Sequence, residues 1–462
     1  MISLVKSTVF FIISLLIIAP LLIGFEQVNF ELYMTGMIFL ITLLLPIMVY
    51  EKEGIFHPLI FKSTFLIFFF YIPSVFSFVR GVDSHLLLSN YFTPSEINSY
   101  AVEFVLLFST FNIVTLVSYS IFPAFGTGLT IVENMRGNIN LKILSVILLT
   151  ILIVIFYIVK AGGVDALIYL RSMKDENRIT SQFGGELIFL SKLILPVSFF
   201  IIYSYLFGAK VSSRLLFLLI ITAIASNFLL TGSRSSILYF LIFLLMIYYH
   251  CRERIRIDYA IICVLAALFI FSAMTQIRES GEEAKVEISL IDSVTNISNK
   301  MSERTIGYIN GAYSVLAFVP GKSDYMYGGS YIALLAAPIP RSIYPNKPIG
   351  LGKRNAIELY ERDDTAIPPG YVAESFWNFG YYGIFLVAAV WGVILKSLYY
   401  FYLTNRDSIV ISLFYLMTIF YLGPDTTAFY SWIQKTLPLI IIIPLLYQVK
   451  IRRKEKKFRD KV

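Results

Sequence analysis

Runs of about twenty apolar residues recur along the whole chain, and they constrain its fold more than any other feature. A helix of about 20 apolar residues spans the hydrocarbon core of a bilayer. Hydrophobic residues make up 57% of the 462 residues and charged residues only 15%, which is more apolar surface than a soluble domain can bury. The sequence therefore predicts an all-α polytopic membrane protein.

About twelve such runs are present, and each predicts one transmembrane helix. They lie at roughly 4–25, 30–50, 59–79, 100–125, 141–161, 186–207, 214–231, 235–250, 257–277, 375–402, 407–423 and 433–449. The first run is longer than the apolar region of a signal peptide and no small-residue cleavage site follows it, so we interpret it as a retained span.

Basic residues orient the predicted spans, because short cytoplasmic loops carry an excess of Lys and Arg. The tail 450–462 is strongly basic, which predicts a cytoplasmic C-terminus, and twelve spans then place the N-terminus on the same side. Membrane topology and lipid headgroups account for much of the net charge of +8, so we do not expect nucleic acid as a partner.

Two predicted outer loops are long, at 162–185 and 278–372. Loops of this length are uncommon unless they are functional or disordered. The chain thus divides into spans 1–9 with the first loop (1–277), a large, partly helical outer loop between spans 9 and 10 (278–372), spans 10–12 (373–449) and a basic tail (450–462).

The large loop contains an apolar run at 328–345 that is too short to cross a bilayer. Such a run forms either a re-entrant segment or an interfacial helix. Pro338 and Pro340 would end it, because proline lacks a backbone donor and disfavours helix in the preceding residue. The stretch PIPRSIYPNKP (338–348) is therefore predicted to be a stiff, basic turn.

Arginines on the predicted outer side are not explained by the excess of Lys and Arg in cytoplasmic loops, so they are candidate substrate ligands. Arg234 lies among small residues in a hairpin too short to reach bulk water, and an ionisable residue at membrane depth indicates a functional site. Its alternative role is to reach lipid phosphate. Guanidinium groups bind phosphate through two parallel hydrogen bonds, so several arginines at the outer leaflet, including Arg278, would suit a lipid-linked phosphate or diphosphate.

A transferase also needs a base, and Glu374 is the best placed carboxylate because the chain re-enters the bilayer there. Its alternative role is a structural hydrogen bond or a salt bridge to an arginine. The other candidates are Asp363, Asp364, Glu358 and His85. An outer aromatic cluster that is compatible with stacking on sugars comprises Tyr344, Tyr360, Tyr371, Trp377 and Tyr381. The sequence contains no CxxC, HExxH or P-loop motif, so no metal, nucleotide or redox cofactor is expected.

Three stretches resemble the Wzy-type oligosaccharide repeat-unit polymerases of O-antigen and capsule synthesis. They are the arginine hairpin TGSRSS (231–236), the turn PIPRSIYPNKP (338–348) and GYVAESFWNFGYYG (370–383). About a dozen helices with one large outer loop between spans nine and ten are similar to that family as well.

The resemblance implies a GT-C-like, metal-independent glycosyltransferase in the bacterial plasma (inner) membrane. It would transfer a growing glycan from undecaprenyl diphosphate to a lipid-linked repeat unit at the outer face. Arginine would take the place of a metal in stabilising the diphosphate. The resemblance further implies membrane lipids, a chain-length regulator and a flippase as partners. The implied catalytic residues are Glu374, Arg234 and Arg341. The implied substrate-binding residues are Arg171, Arg278 and Arg304. The basic and aromatic residues on the predicted outer side add Tyr344, Lys347, Arg354 and Tyr371 as substrate-binding candidates.

Two alternatives stay open from the sequence. A lipid-linked oligosaccharide flippase or other transporter would place its charges near the bilayer midplane and show internal repeats, whereas here the charges lie at the predicted outer rim. The second alternative is an O-antigen ligase. The related O-antigen ligases are described as using an outer-loop histidine, and the loop 278–372 contains no histidine, which argues against a ligase.

Overall fold

A computed structural model describes residues 29–72, 87–125, 129–135, 137–163, 194–231, 234–252, 310–336, 339, 344–363, 365–422, 443 and 446–453, and all structural statements refer to these residues. The helices in chain order are α1 (Phe30–Val49), α2 (Pro58–Leu66), α3 (Pro94–Ile121), α4 (Ile139–Ala161), α5 (Ile194–Leu206), α6 (Ser213–Thr231), α7 (Arg234–Arg252), α8 (310–318), α9 (Gly329–Ala336), α10 (Leu351–Glu358), α11 (Gly370–Thr404) and α12 (Ile409–Leu422). The shorter elements are 3-10 turns at Glu51–Glu53 and Leu87–Asn90, a π-helical turn at Ile67–Tyr71, and strands β1 (Leu129–Met135) and β2 (Tyr447–Arg453).

The described residues fall into two compact units. The first lies within Met1–Thr127, Lys300–Thr404 and Met417–Lys435, and the second within Gly128–Asn299, Asn405–Leu416 and Thr436–Val462. The first unit contains α1–α3 and α8–α11, and the second contains α4–α7 and both strands.

Four helices are long and apolar enough to cross a membrane: Phe30–Val49, Pro94–Ile121, Ile139–Lys160 and Gly370–Thr404. They confirm that this is a membrane protein. The first three match the predicted spans 30–50, 100–125 and 141–161 within several residues, and the fourth covers the predicted span 375–402 but has non-helical residues within it. The predicted spans 4–25 and 257–277, and most of 433–449, lie outside the described residues. The total of twelve spans and the GT-C-like architecture stay predictions.

Helix α3 begins at a capping box, which explains why it starts at this point. The Thr93 hydroxyl accepts from the backbone N–H of Glu96 at 3.4 Å, and the Glu96 carboxylate accepts from the backbone N–H of Thr93 at 2.8 Å. These two bonds satisfy donors that the first turn of a helix leaves without partners. Pro94 occupies the first helical position, where its missing N–H costs nothing.

Helices α3 and α11 pack closely because small residues line their contact. A Cβ atom built on Gly392 would lie only 2.5 Å from the Thr115 carbonyl oxygen. The Ser118 hydroxyl donates to the Ala389 carbonyl at 2.5 Å. Small residues let helix backbones approach, and polar side chains then bond across the contact. This pair forms the centre of the first unit.

The second unit contains a small antiparallel sheet, so the predicted all-α class is wrong at this point. Strand β1 pairs with β2 from Leu129↔Arg453 to Met135↔Tyr447. The sequence predicts a span ending at 449 and a tail after it, whereas β2 crosses that boundary. The reason is the two-residue period of YQVKIRR, in which apolar and polar residues alternate as in a half-buried strand.

Two polar side chains fix this sheet to the start of α12. The Asn405 side-chain amide bonds the backbone of β1 twice, accepting from Ile131 N at 2.6 Å and donating to Leu129 O at 3.1 Å. The Glu133 carboxylate accepts from the Ser408 hydroxyl at 2.7 Å and from Val410 N at 3.0 Å. A carboxylate at a helix N-terminus satisfies free N–H groups and interacts favourably with the helix dipole.

Candidate functional site

Helix α11 is two helices joined by a sharp break. Phe379 and Gly380 have non-helical backbone angles, and Gly380 has φ 60°. The rings of Tyr371 and Trp391 are 6.4 Å apart, whereas these residues would be about 30 Å apart in a continuous helix. Residues 370–378 therefore fold back along residues 381–404, and we call this element the hairpin. The sequence predicts one uninterrupted span over 375–402, which is wrong at this break.

The loop 326–328 satisfies the backbone carbonyls that the break exposes. In a helix that ends at residue 378, the last carbonyl groups have no N–H donor within the helix. Met326 N donates to Trp377 O at 2.9 Å, and Tyr327 N donates to Asn378 O at 3.0 Å. Gly328 N donates to the Asn378 side-chain oxygen at 3.0 Å. The tip of the hairpin is thus held by a loop from elsewhere in the chain.

Glu374 lies at the centre of a buried polar network just below this tip. The Ser330 hydroxyl donates to Glu374 Oε1 at 2.6 Å. The Asn378 amide donates to the Ser330 hydroxyl at 2.8 Å and to the Glu374 carbonyl at 2.8 Å. The exposed fractions are 0% for Glu374, 0% for Asn378 and 6% for Ser330. A buried carboxylate is costly unless it is hydrogen-bonded, so this network fixes the side chain in one orientation.

Glu374 therefore makes the structural hydrogen bond that the sequence offers as its alternative role. The partners Ser330 and Asn378 are not predicted from the sequence. A signal for Asn378 is its spacing of four residues from Glu374, which places both on one face of a helix. The role of Glu374 as a base stays a prediction.

Tyr371 is buried between the two arms of the hairpin and α3. Its side chain is 1% exposed, and its ring packs 5.2 Å from that of Phe111. The Lys62 ammonium lies 5.2 Å from the Tyr371 ring centre and 5.3 Å from that of Phe111. Sequence reasoning missed Lys62, although a charge inside the apolar run LIFKSTFLIFFF indicates a functional residue.

The proposed outer aromatic cluster is divided by the structure. Tyr360, Tyr371 and Trp377 are buried, with exposed fractions of 4%, 1% and 0%. Tyr344 and Tyr381 are exposed, at 40% and 54%. Large aromatic rings bury much apolar area, and three of these five rings are buried. A sugar contact by Tyr371, which stays a prediction, would require its packing to open.

Arg354 approaches the 370–378 arm of the hairpin from α10. Its guanidinium carbon lies 5.8 Å from the Trp377 ring centre, and its Nε donates to Glu358 Oε1 at 2.6 Å. The Ser323 hydroxyl donates to the second carboxylate oxygen of Glu358 at 2.8 Å. The Arg354 side chain is 34% exposed.

Lys347 makes two hydrogen bonds to other residues of the basic stretch 338–348. Its ammonium donates to the Ile339 carbonyl at 2.9 Å, across eight residues. Its backbone N–H donates to the Tyr344 carbonyl at 3.1 Å. The turn is thus closed by the lysine that the sequence marks as substrate-binding, and its contact with a substrate stays a prediction.

Lys322 links its own turn to residues 359–361. Its ammonium lies 2.8 Å from Glu361 Oε1 and donates to the Leu359 carbonyl at 3.0 Å. The hydrogen bond and charge of Lys322 lower the pKa of Glu361 below its ordinary value. Burial raises the pKa of Tyr360, whose hydroxyl donates to the Asn310 carbonyl at 2.7 Å.

Most of the predicted arginines lie outside the described residues. This holds for Arg171, Arg278, Arg304 and Arg341. Arg234 is the first residue of α7, in the second unit. Their convergence on one ligand stays a prediction. Within the part of the chain that the structure describes, no three His, Cys, Asp or Glu side chains form a metal-binding group.

Comparison with known proteins gives a match to a family model. The model of the family described as O-antigen polysaccharide polymerase Wzy matches residues 4–456. Neither a search of curated proteins nor a search of solved structures returned a match.

Proposed function

Because the chain belongs to the O-antigen polysaccharide polymerase Wzy family, we propose that it transfers a growing glycan from undecaprenyl diphosphate to a lipid-linked oligosaccharide repeat unit. The observation that carries this proposal is the family match over nearly the whole chain. We place the reaction at the outer face of the bacterial plasma membrane, with both termini cytoplasmic. The basic tail 450–462 supports this orientation.

The proposed reaction is a substitution at the anomeric carbon of the donor glycan. A hydroxyl of the acceptor sugar attacks that carbon, the bond to the diphosphate oxygen breaks, and undecaprenyl diphosphate leaves. The acceptor proton passes to a base, and Glu374 is our candidate. Arg234 and Arg341 would stabilise the charge that develops on the leaving diphosphate, without a metal ion. Arg171, Arg278 and Arg304 would add further phosphate contacts.

The arrangement around the hairpin supports a substrate site in the first unit. Glu374 is held in one orientation by Ser330, as a preorganised base requires. Arg354, on α10, has a partly exposed side chain whose guanidinium carbon lies 5.8 Å from the Trp377 ring centre. Tyr344 and Lys347 belong to the turn that follows α9, the helix that carries Ser330. We propose a chain-length regulator and a flippase as protein partners of this reaction.

The proposal is tested with purified protein, lipid-linked repeat units and gel analysis of the products. A polymerase yields a ladder of lengthening glycans, a flippase yields none, and a ligase forms product only with a second acceptor. We expect Arg234→Ala and Arg341→Ala to lose the ladder while expression is retained. Arg214→Ala, at the start of α6, the helix that precedes Arg234 in the chain, is the matched control. Full activity of both variants would remove the arginine site.

The role of Glu374 is tested separately by Glu374→Gln. Glutamine keeps an oxygen that accepts from Ser330 but cannot take up a proton near neutral pH. If Glu374 is the base, the variant folds normally and its kcat falls by about 10²–10⁴-fold. Unchanged kcat would leave Glu374 with its structural hydrogen bond alone.

A further inference from the structure

Tyr327 has a backbone conformation that is unfavourable for its residue type. Its φ is 46°, in the left-handed region that glycine adopts readily and bulky residues avoid. Its N–H is fixed by the bond to the Asn378 carbonyl at 3.0 Å, and Gly328, at φ 87°, continues the turn. Glycine at position 327 would fit the same turn without this cost.

Packing of the ring does not offset this cost. The Tyr327 side chain is 75% exposed. The Tyr325 ring lies beside it, at 6.3 Å between ring centres and an interplanar angle of 71°. Tyr325 is itself half-buried against Phe376 and the Gly380 turn of the hairpin. Residues held in unfavourable backbone conformations cluster at ligand-binding and active sites, where the conformation serves a function.

The position of Tyr327 links the exposed ring to the buried carboxylate. The adjacent Gly328 N donates to the Asn378 side chain, and Ser330, three residues on, donates to Glu374. The loop that holds the ring outward is therefore the same loop that orients Glu374. An exposed aromatic ring has a negative face, which attracts the polarised C–H groups on the face of a sugar.

The geometry points to Tyr327, backed by Tyr325, as a stacking platform for a sugar ring of the glycan substrate. This inference rests on the proposed function and adds a binding residue to that site. The strained backbone fixes the ring in the position where the glycan passes the Glu374 network. A tyrosine that only anchors the protein at the membrane interface is the competing interpretation, because tyrosines are common there.

The test compares substitutions that separate the ring from the backbone. Tyr327→Gly removes the ring and relieves the left-handed strain. It should retain or raise the Tm, keep kcat at saturating substrate, and raise KM for lipid-linked repeat units by about five- to tenfold. Tyr327→Phe and Tyr327→Trp keep a ring and should keep KM close to that of the unmodified protein.

Two matched controls accompany these variants. Glu361→Gly relieves the other positive φ, 56°, found for a non-glycine residue in the described part of the chain. Tyr382→Ala removes a tyrosine that is 85% exposed on the 381–404 arm of the hairpin. Neither should change KM. An unchanged KM in Tyr327→Gly overturns the inference, and so does a fall in its Tm. If Tyr382→Ala raises KM as much as Tyr327→Gly does, the tyrosines act as interface anchors, and the inference is overturned.

A direct binding measurement separates this inference from the polymerase proposal. The free oligosaccharide of the repeat unit is titrated into the purified protein, and binding is followed by calorimetry, without any turnover. If the unmodified protein makes no ladder, the polymerase proposal fails. Glycan binding that is lost in Tyr327→Gly and kept in Tyr327→Phe then still supports the platform. Equal binding by all three proteins overturns it.

Discussion

Gly383 allows the two arms of the hairpin to lie in contact, and replacing it tests the hairpin itself. A Cβ atom at position 383 would lie 2.0 Å from the Ser375 carbonyl oxygen and 2.9 Å from its carbonyl carbon. Ordinary van der Waals contact begins at 3.4 Å, so the oxygen is about 1.4 Å too close. Because both neighbours are backbone atoms, no side-chain rotation can relieve the clash, and Gly383→Ala must push the arms apart.

The expected cost follows from that displacement. Overpacking a well-packed site typically costs about 1–3 kcal/mol. A shift of the 370–378 arm would also lengthen the bonds from Ser330 to Glu374, now 2.6 Å, and from Tyr327 N to Asn378 O, now 3.0 Å. Each lost hydrogen bond adds about 1 kcal/mol. We expect Gly383→Ala to lower the free energy of unfolding by about 2–5 kcal/mol and to reduce polymer formation.

The assay uses the chain's own tryptophans. Two of the three, Trp377 and Trp391, lie on the two arms and are buried, so thermal unfolding followed by tryptophan fluorescence reports on the hairpin. Gly329→Ala is the control, because its Cβ would come no closer than 4.0 Å to Met326. If the two alanine variants unfold at the same temperature as the unmodified protein, the folded-back arrangement is wrong.

Two further predictions concern other parts of the molecule. Glu133→Ala should cost about 1–2 kcal/mol in thermal unfolding, because the start of α12 loses its capping carboxylate, and Glu133→Gln should cost less. No difference between Glu133→Ala and the unmodified protein would contradict the cap. His57 is buried among Tyr50, Tyr119 and Tyr399, and burial lowers its pKa from 6.5 to about 3. Since the unfolded chain binds a proton there below pH 6.5 and the folded chain does not, stability should fall as the pH drops from 6.5 towards 3. His57→Phe should make the Tm less dependent on pH in that window, and identical pH profiles would contradict this reasoning.

Several helices could be predicted from the sequence because a membrane span depends on local properties. A backbone in hydrocarbon must satisfy its own hydrogen bonds, so a run of about 20 apolar residues predicts a helix wherever it occurs. Helices Phe30–Val49 and Ile139–Ala161 follow this rule. The break at Phe379–Gly380 does not, because the apolar pattern continues through it and only Gly380 and Gly383 mark the turn.

The candidate site shows the same division. Glu374 stands out in the sequence because a carboxylate within an apolar run is expensive to bury. Its partner Ser330 and the strained Tyr327 are more than forty residues away, and no sequence period connects them to it.

The sequence by itself thus determined the class of protein, the position of several spans and the identity of one central carboxylate. Only the tertiary structure decided that residues 370–378 fold back, that 129–135 pairs with 447–453, and which side chains orient Glu374. The physical reason is that helix formation in a membrane is governed by neighbouring residues. Backbone clashes, strand pairing and buried polar networks instead depend on atoms that approach only when distant segments pack.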